Sequence, residues 1–234
     1  MVNPLALNQQ QLSMNVLVID IGGSNIKILA TGQPERIKIP SGVDFTPGQL
    51  VALVQQATSE AGWIFEVVTV GFPGVVKQGR IVSDPVNLGT GWKGFDFEKA
   101  FGCPVKVIND AAMQALGSYE SGKLLFMGFG TGLGTAMVYE NLILPLEGGH
   151  LPFRNGTFES HVGNANLSQL GKKYWKELVL ETIERFQNCF QPDEIVLGGG
   201  NSKHLEELPP NCRLGSNKNA FAGGFKLWEG NYRF

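Results

Sequence analysis

The chain of 234 residues is 43% hydrophobic and 17% charged, a composition that fits a folded protein with one large domain or two small ones. Its 19 basic and 21 acidic residues give a net charge of −2, which excludes a chain-wide electrostatic attraction to nucleic acid. The three cysteines, Cys103, Cys189 and Cys212, are widely spaced and form no C-x-x-C pair. They predict a reducing compartment, with the cytoplasm as the default, and they offer no zinc framework.

The first fourteen residues have no Lys or Arg ahead of their short apolar piece, and no apolar run in the chain approaches the ~18 residues that span a bilayer. We therefore expect a polar leader and no membrane partner. The leader is also too short for a DNA-binding winged helix, so we expect no nucleic-acid partner.

Residues 15–31 predict the hairpin around which the fold is organised. An apolar run rich in β-branched residues ends near Asp20, a Gly-Gly-Ser turn follows at 22–24, and alternation of period two resumes after Asn25. A dinucleotide-binding glycine loop would open a helix instead. The turn offers bare amides to phosphate oxygens, and Asp20 could hold Mg²⁺ directly or through water. A tight hairpin with a solvated carboxylate is the alternative, and this turn alone favours neither.

The next predicted elements serve packing. They are strands at 35–39 and 66–70, a helix that starts at Pro47 after the cap Thr46 and closes at Gly62, and a small hairpin at 75–81. The turn before that hairpin ends in Gly74, and its backbone could lie against a ligand. An ordinary strand-to-loop turn explains the same residues, and this turn alone favours that interpretation.

The loop at 83–92 holds two candidate sugar contacts. Asn87 can both donate and accept hydrogen bonds, as discrimination between neighbouring sugar hydroxyls requires, but Asn is equally a common turn former. Trp92 could offer a sugar an apolar face, although an aromatic residue in such a place more often belongs to the core. Residues 96–101 predict a short helix.

Asp110 stands where a predicted strand at 104–108 gives way to a predicted helix at 109–116. It is suited to cap that helix. A carboxylate at the C-terminal end of a central strand also lies where open α/β sheets bind ligands. Phosphoryl transfer to an alcohol needs one carboxylate to accept the hydroxyl proton and another near the metal, and Asp110 and Asp20 would fill these two roles.

A second glycine hairpin is predicted at 125–139, and Gly130 takes the place in it that Gly22 takes in the first. Each hairpin opens a comparable length of α/β sequence. Two like lobes that face each other would bring both turns to one cleft, where one phosphate chain could touch both. This arrangement resembles the α/β fold shared by sugar kinases, actin and Hsp70, the two-lobed actin-like or ribonuclease H-like ATPase fold of hexokinase type with a central cleft.

Polar candidates follow the second hairpin. Glu147 and His150 flank two glycines in a loop, and Glu159 and His161 come soon after them. A lone His is usually structural, but a carboxylate and an imidazole around two glycines indicate a polar site.

The last third of the chain predicts three elements. The longest helix spans 166–190, and the lysines near its start are expected to form a solvated face. A strand at 192–197 ends in three glycines, which permit close approach of a base or a phosphate or simply form a tight turn. A helix of small residues at 219–228 is expected to pack across the lobe interface.

Seven short motifs, taken in order, resemble the ROK family, whose name stands for repressor, open reading frame and kinase. They are DIGGSNIK at 20–27, FPG at 72–74, PVNL at 85–88, NDAA at 109–112, GFGTGLG at 128–134, EGGH at 147–150 and LGGGNSK at 197–203. Within the family the sequence is most similar to the polyphosphate glucokinases. The resemblance therefore implies transfer of a phosphoryl group from polyphosphate, ATP or both to the 6-hydroxyl of glucose.

The resemblance also implies a role for each motif residue. Asp110 is the catalytic base, and Asp20 holds Mg²⁺ directly or through water. The sugar, glucose or a related hexose, is bound by Gly74, Asn87, Asn109, Asp110, Glu147, His150 and Glu159. The phosphate donor, polyphosphate or ATP, is bound by Asp20, Gly22, Gly23, Ser24, Asn25, Lys27, Gly130, Thr131, Gly132 and Gly199.

The sequence departs from the family pattern after His150. Most ROK sugar kinases carry a zinc-binding cysteine cluster there, and this chain has no cysteine in that loop, so no structural zinc is expected, as in the polyphosphate glucokinases. Asn25 also replaces a small residue. The resemblance implies a homodimer. We divide the chain into an N-terminal lobe of residues 1–112 plus 220–234 and a C-terminal lobe of residues 113–219.

Three questions stay open at the level of sequence. The donor preference depends on a basic track for polyphosphate, for which the candidates are Lys27, Arg154, Lys172, Lys203 and Lys218. The acceptor could be another hexose, such as mannose, or N-acetylmannosamine, with ATP as donor. A non-catalytic sugar-binding regulator is a further alternative, against which the retained Asp20 and Asp110 argue.

Overall fold

The computed structural model describes residues 14–216 and 218–234. The predicted polar leader, apart from Met14, lies outside the described residues. Among those described, no helix combines the length and the apolar character that a membrane crossing demands.

The first half of the chain forms a mixed five-stranded sheet and a small hairpin. The strands are β1 (Val16–Ile21), β2 (Asn25–Ala30), β3 (Ile37–Pro40), β4 (Val67–Phe72), the hairpin β5 (Val76–Lys77) and β6 (Arg80–Ile81), and β7 (Val105–Asn109). The sheet has the order β3-β2-β1-β4-β7. In this sheet β2 is antiparallel to both β1 and β3, while β4 and β7 run parallel to β1. The predicted strand–turn–strand is confirmed.

The second half repeats this sheet. Its strands are β8 (Lys123–Phe129), β9 (Leu133–Tyr139), β10 (Leu142–Leu146), the hairpin β11 (Pro152–Phe153) and β12 (Gly156–Thr157), β13 (Glu194–Gly198) and β14 (Cys212–Leu214). The order β10-β9-β8-β13-β14 matches the first sheet strand for strand, again with three antiparallel strands followed by two parallel ones. The second glycine hairpin is therefore confirmed, and it occupies the same place in its sheet as the first.

Seven α-helices complete the described part of the chain. They are α1 (Pro47–Glu60), α2 (Phe97–Phe101), α3 (Asp110–Ser118), α4 (Phe158–Val162), α5 (Asn164–Leu170), α6 (Lys172–Phe190) and α7 (Asn219–Glu229). The predicted cap of α1 is present, because the Thr46 hydroxyl accepts a bond from the Gln49 amide and the Gln49 side-chain oxygen accepts one from the Thr46 amide.

The prediction of one long helix over 166–190 is wrong. The chain forms α5 and α6 there, separated by Gly171, whose φ of +79° lies outside the right-handed helical region. Glycine accepts this conformation without a steric penalty. Gly171 therefore ends α5 and lets the chain change direction before α6 begins.

The helices and sheets stack in layers. In β1, Leu17 and Ile19 face the cluster on the α1 side, whereas Val18 faces the opposite cluster, which it shares with α3 and α7. In β8, Phe126 joins that same central cluster, and Leu125 faces the α6 side. The order of layers is therefore α1, first sheet, the pair α3 and α7, second sheet, α6. Strand alternation puts apolar side chains on both faces of each sheet.

The pair α3 and α7 is unusually close at two glycines. A Cβ on Gly117 would overlap the carbonyl oxygen of Asn219, and one on Gly223 would overlap that of Met113. The other side of α7 is tied to the first sheet by the Thr69 hydroxyl, which donates to the Gly224 carbonyl at 2.8 Å. The predicted packing of this helix between the two sheets is confirmed. The exact division of the chain into lobes stays a prediction.

We expect Gly117→Ala to lower the free energy of unfolding by about 1–3 kcal/mol, because the added methyl must push two packed backbones apart. Gly48→Ala in α1 is the matched control, since nothing lies within 4 Å of its added methyl. The control should be neutral or stabilising by up to about 1 kcal/mol. Urea unfolding followed by circular dichroism measures both, and equal midpoints would contradict the close-contact argument.

Candidate active site

Asp110 is the first residue of α3, directly after the last residue of β7. The expectation that it caps the helix is wrong, because Asn109 does so by accepting a bond from the Ala112 amide at 3.0 Å. The Asp110 carboxylate accepts from the Ala111 amide at 2.8 Å. A Cβ built on Gly134 in β9 would lie 3.1 Å from the Ala111 methyl, so the start of α3 touches the second hairpin.

The environment of Asp110 disfavours its charged form. Burial and, after it, the negative charges of Asp20 and Glu147 raise the pKa of its carboxyl to about 7, against the opposing effect of the bond from the Ala111 amide. The side chain nevertheless keeps partial exposure to solvent. Asp20 belongs to the first sheet and Glu147 follows the second sheet's β10, so carboxylates from both halves of the chain face Asp110.

Asp20 and Lys27 form an ion pair across the first hairpin. They are register partners on β1 and β2, and Lys27 Nζ lies 3.0 Å from Asp20 Oδ2. The Asp20 side chain is only 13% exposed, against 34% for Lys27. Both were assigned to the donor from sequence, and the structure places them together beside Asp110. A phosphate or a cation that binds here has to share or break this pair.

The first glycine turn presents exposed backbone. Gly22 donates to the Asn25 carbonyl at 3.1 Å, which closes the turn, while Gly23 and Ser24 remain open to solvent. Asn87 stands over the turn, with its Cβ 3.4 Å from a Cβ built on Gly23. The predicted sugar loop and the predicted phosphate turn are therefore neighbours.

Ser41 is a residue of this turn that the sequence analysis missed. Its hydroxyl donates to the Gly22 carbonyl at 2.7 Å, and its amide donates to the Ser24 carbonyl at 3.2 Å. No pattern in the sequence links residue 41 to residue 22, because the contact depends on the pairing of β2 with β3.

The second glycine turn is held from two directions. Gly130 donates to the Gly132 carbonyl at 3.0 Å, and the Gly130 carbonyl accepts from the Asn164 amide at 3.0 Å and from the Asn201 side chain at 3.2 Å. Gly199, with φ of +80°, lies against the backbone of Phe129, where any side chain would overlap. Thr131 itself is exposed. Residues from α5 and from the loop after β13 thus fix this turn.

The carboxylates predicted to bind sugar gather beside this turn. Glu159 accepts from the Leu133 amide at 3.2 Å and covers Gly132, where a Cβ would overlap it. Glu147 Oε2 lies 3.7 Å from His150 Nδ1, and the Glu147 side chain is about half-buried. Burial raises the pKa of Glu147, and the charge of Glu159 raises it as well, while His150 acts in the opposite direction. Glu147, His150 and Glu159 therefore form one cluster.

Two of the predicted sugar contacts bind each other instead of facing open solvent. The Asn109 side chain donates to the Gly74 carbonyl at 3.1 Å while its oxygen caps α3.

Trp92 is fully buried, and its indole donates to the Phe45 carbonyl at 3.2 Å. The alternative in which Trp92 offers a sugar an exposed face is wrong, because the ring packs in the first core cluster.

A cavity of about 210 Å³ opens beside the loop after β13. Its lining includes Gly199, Gly200, Lys203 and Gln114, of which Gln114 lies one helical turn after Asp110 on the same face of α3. Gly199 and Lys203 are candidates already predicted from the sequence. Gln114 is not among those candidates, although its spacing of four residues from Asp110 on a predicted helix was a signal that could have identified it.

The residues around Asp20 could hold Mg²⁺ together with oxygens of a bound phosphate donor. Within residues 14–216 and 218–234, no group of three or more His, Cys, Asp or Glu side chains could hold a metal ion. Mg²⁺ commonly binds one or two carboxylates together with substrate phosphates and water. Asp20 offers one such carboxylate, with its side chain only 13% exposed. The expected lack of structural zinc stays a prediction.

Comparison with known proteins gives consistent matches. Residues 16–151 match the sequence profile of the ROK family. The polyphosphate glucokinase of Mycobacterium tuberculosis (strain ATCC 25177 / H37Ra) is 28% identical over 213 residues, covering 82% of this chain and 80% of that protein. The crystal structure of an inorganic polyphosphate/ATP-glucomannokinase from Arthrobacter sp. strain KM is 26% identical, with a TM-score of 0.76 and coverage of 91% and 97%.

A more distant structure shares the fold. The ROK family glucokinase from Streptomyces griseus, solved with glucose and AMPPNP, is 17% identical, with a TM-score of 0.73 over 92% of this chain and all of that chain (100%). Together with the repeated sheet order, these matches confirm the two-lobed actin-like fold.

We expect Asp110→Asn to become more stable relative to wild type as pH rises. In the wild type the folded carboxyl has a pKa of about 7, against 3.8 for an ordinary Asp, so the folded state holds its proton more tightly than the unfolded state. The protonated carboxyl therefore contributes folding stability that is fully present below about pH 4 and is lost as pH rises through 7. The variant should gain about 2 to 4 kcal/mol at pH 8 in urea unfolding. Glu140→Gln, an exposed carboxylate, is the control. A difference between Asp110→Asn and wild type that stays constant with pH would contradict the raised pKa.

Proposed function

Because the chain belongs to the ROK family, we propose that it is a sugar kinase that transfers a phosphoryl group from inorganic polyphosphate, ATP or both to the 6-hydroxyl of glucose. One observation carries the proposal: a carboxylate of raised pKa, Asp110, stands beside both Asp20 of the first hairpin and Glu147 of the second half. This is the place where a sugar hydroxyl and a terminal phosphate would meet.

In the proposed reaction, Asp110 accepts the proton of the sugar hydroxyl. A bond forms between that oxygen and the terminal phosphorus while the bond from phosphorus to the bridging oxygen breaks, so the shortened donor leaves with the electron pair. A base with a pKa near 7 is ionised often enough and is basic enough to serve near neutral pH. Burial of Asp110 therefore supports the chemistry that the role requires.

The sugar would be bound by groups from both halves of the chain. Glu147, His150 and Glu159 approach it from the second half, and Asn87 approaches from the first. Asn109 and Gly74 would shape the floor through their mutual hydrogen bond, with one amide hydrogen of Asn109 left for the sugar. Closure of the lobes around the sugar would exclude water and limit hydrolysis of the donor.

The phosphates would be bound by backbone amides of the two turns. Gly23, Ser24 and Asn25 would offer the first set, and Thr131 and Gly132 the second. Gly130 would shape the second turn, because its own amide donates to the Gly132 carbonyl. Lys27 would move from Asp20 to a donor oxygen. Asp20 would hold Mg²⁺, and the bound ion would supply charge neutralisation. Since the transition state of phosphoryl transfer is loose, positioning and charge stabilisation contribute most of the rate.

Among the five basic candidates for a polyphosphate track, two are favoured by their surroundings. Lys27 and Arg154 are already paired with carboxylates, at 3.0 Å from Asp20 and 2.6 Å from Glu181. Lys203 lines the cavity after β13. Burial lowers the pKa of His204, and the charges of Lys172 and Lys203 lower it further, so both lysines lie near this imidazole. We propose that Lys172 and Lys203 guide the donor chain.

The deciding experiment is a coupled assay for glucose 6-phosphate with polyphosphate and with ATP, each with Mg²⁺, followed by a panel of mannose and N-acetylmannosamine. Turnover of another acceptor would replace glucose in the proposal, and sugar binding without turnover would favour a non-catalytic regulator. The expectations of a homodimer and of a cytoplasmic location stay predictions, the first of which light scattering after size exclusion would measure.

We expect Asp110→Asn to lower kcat by about two to four orders of magnitude and to leave sugar affinity nearly unchanged, because a positioned base is lost and the hydrogen-bonding shape is kept. In the wild type, kcat/KM should fall below a pH near 7, where the carboxyl becomes protonated. Steady-state rates from about pH 5 to pH 9 and calorimetry with glucose test this. A fully active variant would refute the assignment of Asp110.

We expect the double variant Lys172→Gln/Lys203→Gln to raise KM for long-chain polyphosphate about three- to tenfold, because two exposed charges each contribute modestly to binding. The effect should be smaller for tripolyphosphate and should shrink at high salt. Lys99→Gln, an exposed lysine of α2, is the control. An unchanged KM for the long chain would exclude these lysines from the donor path.

A further inference from the structure

The segment 147–163 carries Glu147, His150 and Glu159, and it is fastened to α6. The Trp175 indole in α6 donates to the Val162 carbonyl at 2.7 Å within the buried core. Phe158 packs edge to face against Phe186 with ring centroids 5.1 Å apart. The helix that holds Glu159 thus takes its position from α6.

A second attachment lies at the hairpin β11–β12. Phe153 is buried, and its ring stacks on Phe158 with centroids 4.5 Å apart. The guanidinium groups of Arg154 and Arg185 each lie 5.3 Å from the Phe153 ring centroid, one from the hairpin and one from α6. Cations over an aromatic face attract the ring electrostatically.

Glu181 joins the two arginines. It accepts from Arg154 at 2.6 Å and from Arg185 at 2.8 Å, and Arg154 also donates to the Tyr174 hydroxyl at 3.1 Å. An isolated surface pair stabilises little, but here one carboxylate is shared by two guanidinium groups that also flank a buried ring. We call Phe153, Arg154, Glu181 and Arg185 the arginine clamp.

The backbone of Arg154 adopts an unfavourable conformation that its surroundings must stabilise. Its φ of +53° lies in the left-handed region, which side chains other than glycine rarely adopt and which costs free energy. Such a conformation persists when surrounding contacts fix it. The guanidinium contacts with Glu181 and Tyr174 hold this turn from the α6 side, and Asn155 Oδ1, 3.0 Å from His161 Nε2, holds it from α4.

We propose that the arginine clamp positions Glu159 for the acceptor sugar. The chain of contact runs from Glu181 through Arg154 and Phe153 to Phe158, the residue next to Glu159, whose carboxylate then lies over the second glycine turn. The four residues touch no reacting atom and are positioning residues. The proposal rests on the proposed sugar-binding role of Glu159.

Arg154→Gly and Arg154→Ala test the clamp. Both remove the guanidinium group, but only glycine accepts the left-handed backbone without strain. We expect both to raise KM for the sugar about tenfold, the equivalent of one charge-assisted hydrogen bond, with kcat and KM for the donor changed less than about twofold. The glycine variant should keep the higher melting temperature of the two. Glu181→Gln should raise the sugar KM less in either Arg154 variant than in wild type, since the contact with Arg154 is already lost and only the one with Arg185 remains.

Arg213→Ala is the matched control, because Arg213 forms a comparable pair with Glu194 in the same half of the chain, at 2.7 Å, away from segment 147–163. It should lower the melting temperature without changing KM for the sugar. An unchanged sugar KM in both Arg154 variants, or an equal rise in the control, would overturn the proposal.

Hydrogen exchange separates failure of the clamp from failure of the proposed function. Amides 156–163 should exchange faster in Arg154→Gly than in wild type, whatever the sugar. If the wild type neither binds nor phosphorylates a hexose, the proposed function fails. Unchanged protection of those amides would then overturn the clamp as well, while faster exchange would retain it as the element that holds Glu159.

Discussion

The close contact of α3 with α7 sets the distance between the two sheets. Gly117 and Gly223 let the two backbones touch, and α7 in turn is bonded to the first sheet through Thr69. Because α3 also packs against β8 and β9, its first residue, Asp110, is held between the two hairpins. A wider separation of the helices would move the carboxylate away from one half of the cleft. The position of the catalytic candidate is therefore a consequence of helix packing far from it.

The same geometry explains the electrostatics of the site. Asp20 and Glu147 approach Asp110 from opposite halves, and burial adds to their effect on its pKa. An unbound cleft with these carboxylates carries unfavourable charge, which a sugar hydroxyl and a cation-bearing donor would relieve. Lys27 already offsets part of it through Asp20. The buried carboxylates lower the folding stability of the free protein at the site that the proposed reaction would use, as is common at sites that perform acid–base chemistry.

Local patterns predicted much of this fold, and contacts distant in sequence account for what they missed. Alternation of period two identified both hairpins, and Thr46 with Pro47 identified the start of α1. The break at Gly171 was missed because apolar spacing continues across it. The buried place of Trp92, the shared hydrogen bond of Asn109 and Gly74, and the hold of Ser41 on Gly22 depend on tertiary neighbours. Family motifs named the site residues, but only coordinates show which of them lie side by side.

The two sheets share one strand order but not one set of charges. Where β1 and β2 pair Asp20 with Lys27, β8 and β9 pair Gly128 with Gly134. A chain of identical phosphates has no head or tail of its own, and a cleft built from two matching hairpins would give it none. The ion pair on one side alone breaks that equivalence, and it would therefore give a bound linear anion one preferred direction through the cleft.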